Sequence, residues 1–257
     1  MDPISRAQSH QARIDTLWDF DDPAESERRF LDAAQSSRGL DGEILLTQLA
    51  RAVGLQGRFD EAHALLDELP DDEDEELRVR VLLERGRVLN SSGDPGASLP
   101  EFSAALEAAE NERFEHLAID ALHMLAIVAA PPDQDALNSR ALELASTAAD
   151  PRARQWRASL LNNMGWTSFD RGELDAALQL FKAALAAREE QGKAPEIVIA
   201  RWCIARTLRE MGRAREALEI QLQLADELRA AGKSDRYVDD EIAALRGRLS
   251  EDDATAS

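Results

Sequence analysis

His116, Asp120 and His123 are the residues whose spacing comes nearest to chemistry. At i, i+4 and i+7 they share one side of a helix, two imidazoles and a carboxylate, which is weak metal-ligand spacing. No HExxH accompanies them, so structural or surface histidines are expected and no metal site is assigned. His10 and His63 have no evident companions. Cys203 is the one cysteine and follows Trp202 in an apolar helical stretch. It reads as a buried, inert thiol, not a nucleophile. The glycine-rich "SSGDPG" (91–96) lacks the P-loop lysine and the GxGxxG spacing, which leaves a turn. "DDEDEE" (71–76) follows Pro70 and reads as an acidic linker that also starts the next helix, since carboxylates suit helix N-termini. Its spacing is not that of an EF-hand calcium loop. No Ser/His/Asp ordering and no paired-carboxylate pocket stands out. The expectation is a protein that is not an enzyme and carries no cofactor.

The composition narrows the remaining classes. Fifty acidic side chains face thirty basic ones, a formal net charge of −20. A chain this acidic repels nucleic acid and anionic membranes unless its basic groups are gathered in one place. Aromatics make up only 5%, and alanine and leucine dominate, a mix that suits close-packed helices better than sheets. A single cysteine allows no intrachain disulfide and fits a reducing compartment. The opening "MDPISRAQSHQARIDTLWDF" lacks the apolar core of a signal peptide, and no apolar run approaches about 18 residues. A cytoplasmic protein with no membrane span is expected.

One pattern recurs along the chain: a helix, a glycine break, then a second helix. Its clearest copies lie at 45–69, 81–109, 164–189 and 199–228, with weaker ones at 14–34 and 118–145. In the last of these Pro131-Pro132 replaces the glycine turn. Ser26, Ala62, Ser98, Asn138, Ala177 and Ala217 mark one register position in the second helix. Four residues on come Phe30, Leu66, Phe102, Leu142, Phe181 and Gln221. Three further on come Ala33, Leu69, Ala105, Ala145, Ala184 and Leu224. Spacing of four then three places these on one helix face. A period in this range means stacked helical hairpins, each too small to fold alone. Gly57, Gly93, Gly172 and Gly212 follow the last apolar turn of each first helix, where a left-handed residue ends it.

These residues resemble the tetratricopeptide repeat family in a longer-repeat variant of about 36–40 residues. Gly165, Ala177, Phe181 and Ala184 match the family's small, alanine, aromatic and alanine positions, and Ala50, Gly86, Ala126 and Ala205 supply the small residue elsewhere. The resemblance implies an all-α, right-handed superhelical solenoid of six hairpins in one domain, residues 1–249. The repeats fall near 7–36, 43–70, 77–110, 115–149, 155–190 and 196–232, with those at 7–36 and 115–149 degenerate. A capping helix is expected at 234–249, with Ser234 as N-cap and Val238, Ile242, Leu245 and Leu249 inward. A disordered acidic tail is expected at 250–257.

The resemblance further implies that the first helix of each hairpin lines a concave groove that binds peptides or partner helices. The positions it places there include Arg51, Arg80, Arg87, Asn90, His123, Asn162, Trp166, Trp202, Arg206 and Arg209, which form the candidate partner-binding site. Trp18 and the acidic Asp15, Asp19, Asp120, Asp170 and Glu210 fall on the same face. Arginine and tryptophan are the residues most enriched at binding hot spots. The expected partner is a protein or peptide segment with carboxylates and one or two apolar anchors. The competing arrangement has the tryptophans packed between adjacent helices and the arginines paired with local carboxylates. Two other functions stay open: a peptide-responsive regulator acting through protein contacts, and a homo-oligomeric assembly adaptor.

Overall fold

The computed structural model of the chain describes residues 2–70, 74–192 and 194–255. Thirteen helices appear among them, and no strand. They run in order as α1 (Pro3–Leu17), α2 (Pro23–Gln35), α3 (Leu40–Leu55), α4 (Phe59–Asp67), α5 (Glu75–Ser91), α6 (Pro95–Asn111) and α7 (Glu115–Val128). Then follow α8 (Pro131–Thr147), α9 (Pro151–Asp170), α10 (Leu174–Gln191), α11 (Ala194–Glu210), α12 (Ala214–Ala230) and α13 (Arg236–Thr255). The order reproduces the six expected hairpins and closing helix of an all-α repeat solenoid. The chain divides into two compact units, Met1–Arg154 and Gln155–Ser257.

Turn chemistry sets the boundaries. Gly172 has φ +77°, and the Glu173 N–H donates to the Ser168 carbonyl at 2.9 Å, closing the left-handed turn that ends α9. Gly57, Gly93 and Gly212 occupy the same region of backbone space. Asp94 caps α6 by accepting from the Ala97 N–H at 2.9 Å, with Pro95 in the first turn. Asp74 does the same for α5, accepting from Glu76 N–H at 2.9 Å. The end of the acidic run therefore starts a helix as expected, while 71–73 lie outside the described residues.

The inward register holds in most hairpins. Phe30, Leu66, Phe102 and Phe181 are fully buried, as are Ser26, Ala62, Ser98, Ala177 and Ala217. Glycine in the partner helix makes room for the rings. A Cβ on Gly165 would stand 2.6 Å from Phe181 Cε1, and one on Gly86 would stand 2.4 Å from Phe102 Cε1.

Gln221 is fully buried at its expected inward place, where other repeats put an aromatic or leucine. Three details depart from the sequence reading. In α8, the second helix that begins with two prolines, Ala141 takes the innermost place and Leu142 is half-buried. The N-cap of α13 is Asp235, not Ser234: its carboxylate accepts from the Tyr237 N–H at 2.8 Å. Val238, Ile242 and Leu245 are buried and Leu249 packs beside them, but α13 continues to Thr255, into the segment expected to be disordered.

The first hairpin is the least regular. α1 makes little contact with α2, whereas α2 packs extensively on α3. α1 touches α2 and α3 about equally: its Arg13 donates to the Ala33 carbonyl and the Ser37 hydroxyl at the end of α2, while its Arg6, His10 and Gln11 side chains reach residues of α3, of α5 and of the α5 cap.

Candidate partner-binding surfaces

In the first unit, the candidate arginines stand on α3 and α5 and meet carboxylates of their own unit. Arg80 is buried; its Nε donates to Glu76 Oε1 at 3.0 Å and its Nη1 to Gln11 Oε1 at 3.1 Å. Arg87 donates to Glu84 Oε1 at 2.6 Å and to Asp120 Oδ1 at 2.5 Å. Burial alone would raise the Asp120 pKa, but the Arg87 and Arg51 charges overcome it and hold the carboxyl down to about 2. Arg51 lies 4.0 Å from Glu84 Oε2 and caps two rings, its guanidinium carbon 5.4 Å from the centroids of both Trp18 and Phe20. Those rings stack at 4.6 Å, nearly parallel, and Phe20 is 60% exposed. Asn90 is half-buried near the end of α5.

α7 carries His116, Asp120 and His123. Asp120 belongs to Arg87, and both histidines are half-buried. Burial together with the Arg80, Arg152 and Arg87 charges pushes His116 down to about 3 against the pull of Asp120. His123 is lowered as well, first by burial. Both shifts favour the neutral ring. Among the described residues, no group of three or more His, Cys, Asp or Glu is placed to hold a metal ion.

In the second unit, aromatic rings dominate. Trp166 meets Phe169 and Phe181 edge-on, each at 5.2 Å, and tilts toward Trp202 at 6.3 Å. Trp202 meets Tyr237 edge-on at 6.4 Å, and its Nε1 donates to the Tyr237 carbonyl at 3.1 Å. Arg206 lies 5.9 Å from the Phe169 centroid and donates to Glu210 Oε1 at 2.9 Å. Arg209 pairs with Glu241 at 2.9 Å. Asn162 Oδ1 faces the Cys203 thiol at 3.8 Å, and burial pushes that thiol up to about 12, far from a nucleophile.

Beside Trp202 an apolar groove of about 260 Å³ opens between α11 and α13, lined by Val198, Ile199, Trp202, Asp235, Tyr237 and Val238. Ile199 is 56% exposed and Tyr237, the single tyrosine, 71%. Large apolar side chains grouped at a surface mark interaction sites. The sequence reading finds Trp202 but assigns 234–249 only to capping. The available signal was that Tyr237 falls one position before the buried Val238, on the outer side of that helix.

Residues 157–190, which span most of α9 and α10, match the family model described as Tetratricopeptide repeat. Among solved structures, a Signal Transduction ATPase with Numerous Domains (STAND) protein with a tetratricopeptide repeat sensor, from Pyrococcus horikoshii, superimposes with a TM-score of 0.66 at 14% identity. The match covers 90% of this chain and 33% of that one, so this chain spans a third of its length. BtubC (BKLC) from P. vanneervenii gives 0.60 at 15% identity, covering 90% and 92% of the two chains. The Assembly Chaperone of RpL4 (Acl4) gives 0.51 at 14% identity, covering 97% and 99%. A comparison with curated protein sequences finds no match. Residues 157–190 are a tetratricopeptide repeat, and the fold around them is that of the tetratricopeptide solenoids. Such folds serve generally as protein-interaction scaffolds. No helix among the described residues is long and apolar enough to cross a membrane.

Proposed function

We propose that the protein is a non-catalytic scaffold that captures a segment of a partner protein on the helix face carrying Asn162, Trp166, Trp202, Arg206 and Arg209. The observation that carries this reading is the open groove at Trp202, where Ile199 and Tyr237 stand exposed beside a tryptophan edge. An apolar or aromatic side chain of the partner anchors there, and Arg206 and Arg209 lie one to two turns further along α11 to orient it. Because both arginines already face Glu210 and Glu241, apolar anchoring outweighs carboxylate capture. Acl4, a fold neighbour described as an assembly chaperone of RpL4, gives a precedent for this shape holding a protein partner.

The test is affinity capture from source lysate with wild type, Trp202→Ala/Tyr237→Ala and a distant surface control, Arg140→Ala, followed by mass spectrometry. A partner held by wild type and control but lost from the double variant supports the groove. A partner held equally by all three, with the double variant folded, overturns it. Light scattering on the same samples identifies the case in which the partner is a second copy.

A further inference from the structure

We propose that α1 is a displaceable strap, and that the acidic surface beneath it on α3 and α5 is a binding site for a basic amphipathic helix from another protein. This rests on residues of the first unit alone and is independent of the groove at Trp202.

The surface is defined by what α1 places in it. Arg6 donates to Asp74, and His10, one turn later, sits between two carboxylates. His10 Nδ1 lies 2.9 Å from Glu76 Oε2, and Nε2 lies 2.9 Å from Asp41 Oδ1. Ile14, one further turn on, is buried in the core cluster that holds Ile44 and Leu45 of α3, Leu77 of α5 and Phe30 of α2. On the far side Gln11 accepts from Arg80 and Asp15 pairs with Arg152. The receptor therefore reads a helix with cations at i and i+4 and an apolar anchor at i+8.

The attachment is polar and incompletely satisfied. Apart from Ala7 and Ile14, α1 buries no whole apolar side chain, whereas α3 buries Ile44, Leu45, Leu49, Ala50, Ala52 and Val53. Arg6 Nε lies 3.8 Å from Glu76 Oε2, and among the described residues it finds no hydrogen-bond partner. A partly satisfied polar interface holds less firmly than a packed apolar one. α2 itself packs extensively on α3.

His10 makes the strap sensitive to pH. Both ring nitrogens face carboxylate oxygens, so both bonds form only when the ring is protonated. Its surroundings are Asp41 from α3, Glu76, Arg80 and the capping Asp74 from α5, and Arg6 on its own helix. Burial opposes the charge, but Glu76 and Asp41 outweigh it and raise the His10 pKa. A raised histidine pKa gives docking that is full below about 6.5 and lost as pH rises through the higher, docked value.

The test uses the full chain. Hydrogen exchange read by mass spectrometry is expected to show α1 amides opening at least about tenfold more often than those of α3 and α5. After correction for intrinsic exchange, the gap widens between pH 6 and 8.5, and in His10→Gln that pH dependence disappears. Exchange of α1 together with α3 and α5 at every pH overturns the strap. Full-length Arg6→Glu/His10→Glu repels its own α1 and leaves the receptor intact. It is expected to bind a labelled synthetic peptide of residues 2–18 at least about tenfold more tightly than wild type, because the cis competitor is gone. No peptide binding by the folded variant overturns the site. Wild-type dimers that exchange α1 between copies, seen by light scattering, overturn a cis strap.

Discussion

Substituting Gly165→Ala tests the packing logic of the hairpins. In an exposed helix interior this change stabilises by about 1 kcal/mol, because alanine is the better helix former. Here the new methyl would meet three atoms of the Phe181 ring at 2.6, 2.8 and 3.1 Å. The ring is fully buried and braced edge-on by Trp166, so it cannot step aside. Overpacking of this kind costs about 1–3 kcal/mol, and contacts this short lie at the upper end. After the propensity gain, a net loss of about 1–2 kcal/mol is expected. Phe181→Leu alone leaves a void and costs about 1–2 kcal/mol, less than the roughly 3–5 kcal/mol of a Phe→Ala change. Together the two changes offset: the methyl introduced by Gly165→Ala fills space the ring vacated, and the double variant falls within about 1 kcal/mol of wild type. The expected coupling is about −2 kcal/mol, within the range for residues in contact. Urea titrations of the four proteins, followed by helical circular dichroism, measure it. Additive losses, within about 0.5 kcal/mol, would refute the steric argument.

Three further outcomes follow from buried polar groups. Arg87→Met leaves Glu84 and Asp120 without their shared cation and should cost about 3–5 kcal/mol in urea titration. Asp120, held down to about 2 from an ordinary 3.8, contributes fully above pH 3.8 and loses its contribution as pH falls toward 2, so Asp120→Asn should flatten that part of the acid-unfolding curve. Gln221 is fully buried, and its amide nitrogen and oxygen find no hydrogen-bond partner among the described residues. Gln221→Leu, which copies Leu66, should raise stability by about 1–3 kcal/mol in thermal unfolding.

The helical register was legible because it depends on local rules. Glycine turns, Asp caps and a four-three apolar spacing act within one hairpin, and a period of about 38 residues repeats them. The fate of the charged residues was not local. The sequence assigns Arg80 and Arg87 to a binding face, yet their partners in the structure are Glu76 and Glu84 on the same helix, Asp120 on α7 and Gln11 on α1. Spacing alone cannot say whether an arginine meets a ligand or a neighbour. The position of α1 was hidden for a similar reason. Its sequence is helical and amphipathic either way, and only Arg6 and His10 finding Asp74, Glu76 and Asp41, tens of residues away, reveals that it reaches past its own hairpin. Tyr237 was missed because a capping helix accounts for its neighbours without it.

The fit of Gly165 against Phe181 has a consequence for how such a chain can vary. Outside the α7–α8 hairpin, the partner of the innermost second-helix residue lies sixteen positions earlier: Gly86 with Phe102 and Gly165 with Phe181, but Ala50 with Leu66 and Ala205 with Gln221. Rings go with glycine, and smaller or more flexible side chains go with alanine. The two sites share a fixed volume, so neither can be inherited independently of the other. A path from one pairing to the other crosses an intermediate that is either overfilled or hollow. The first pair in the series, Ile14 with Phe30, departs from this rule: both side chains are buried in one core cluster although the earlier residue is neither glycine nor alanine.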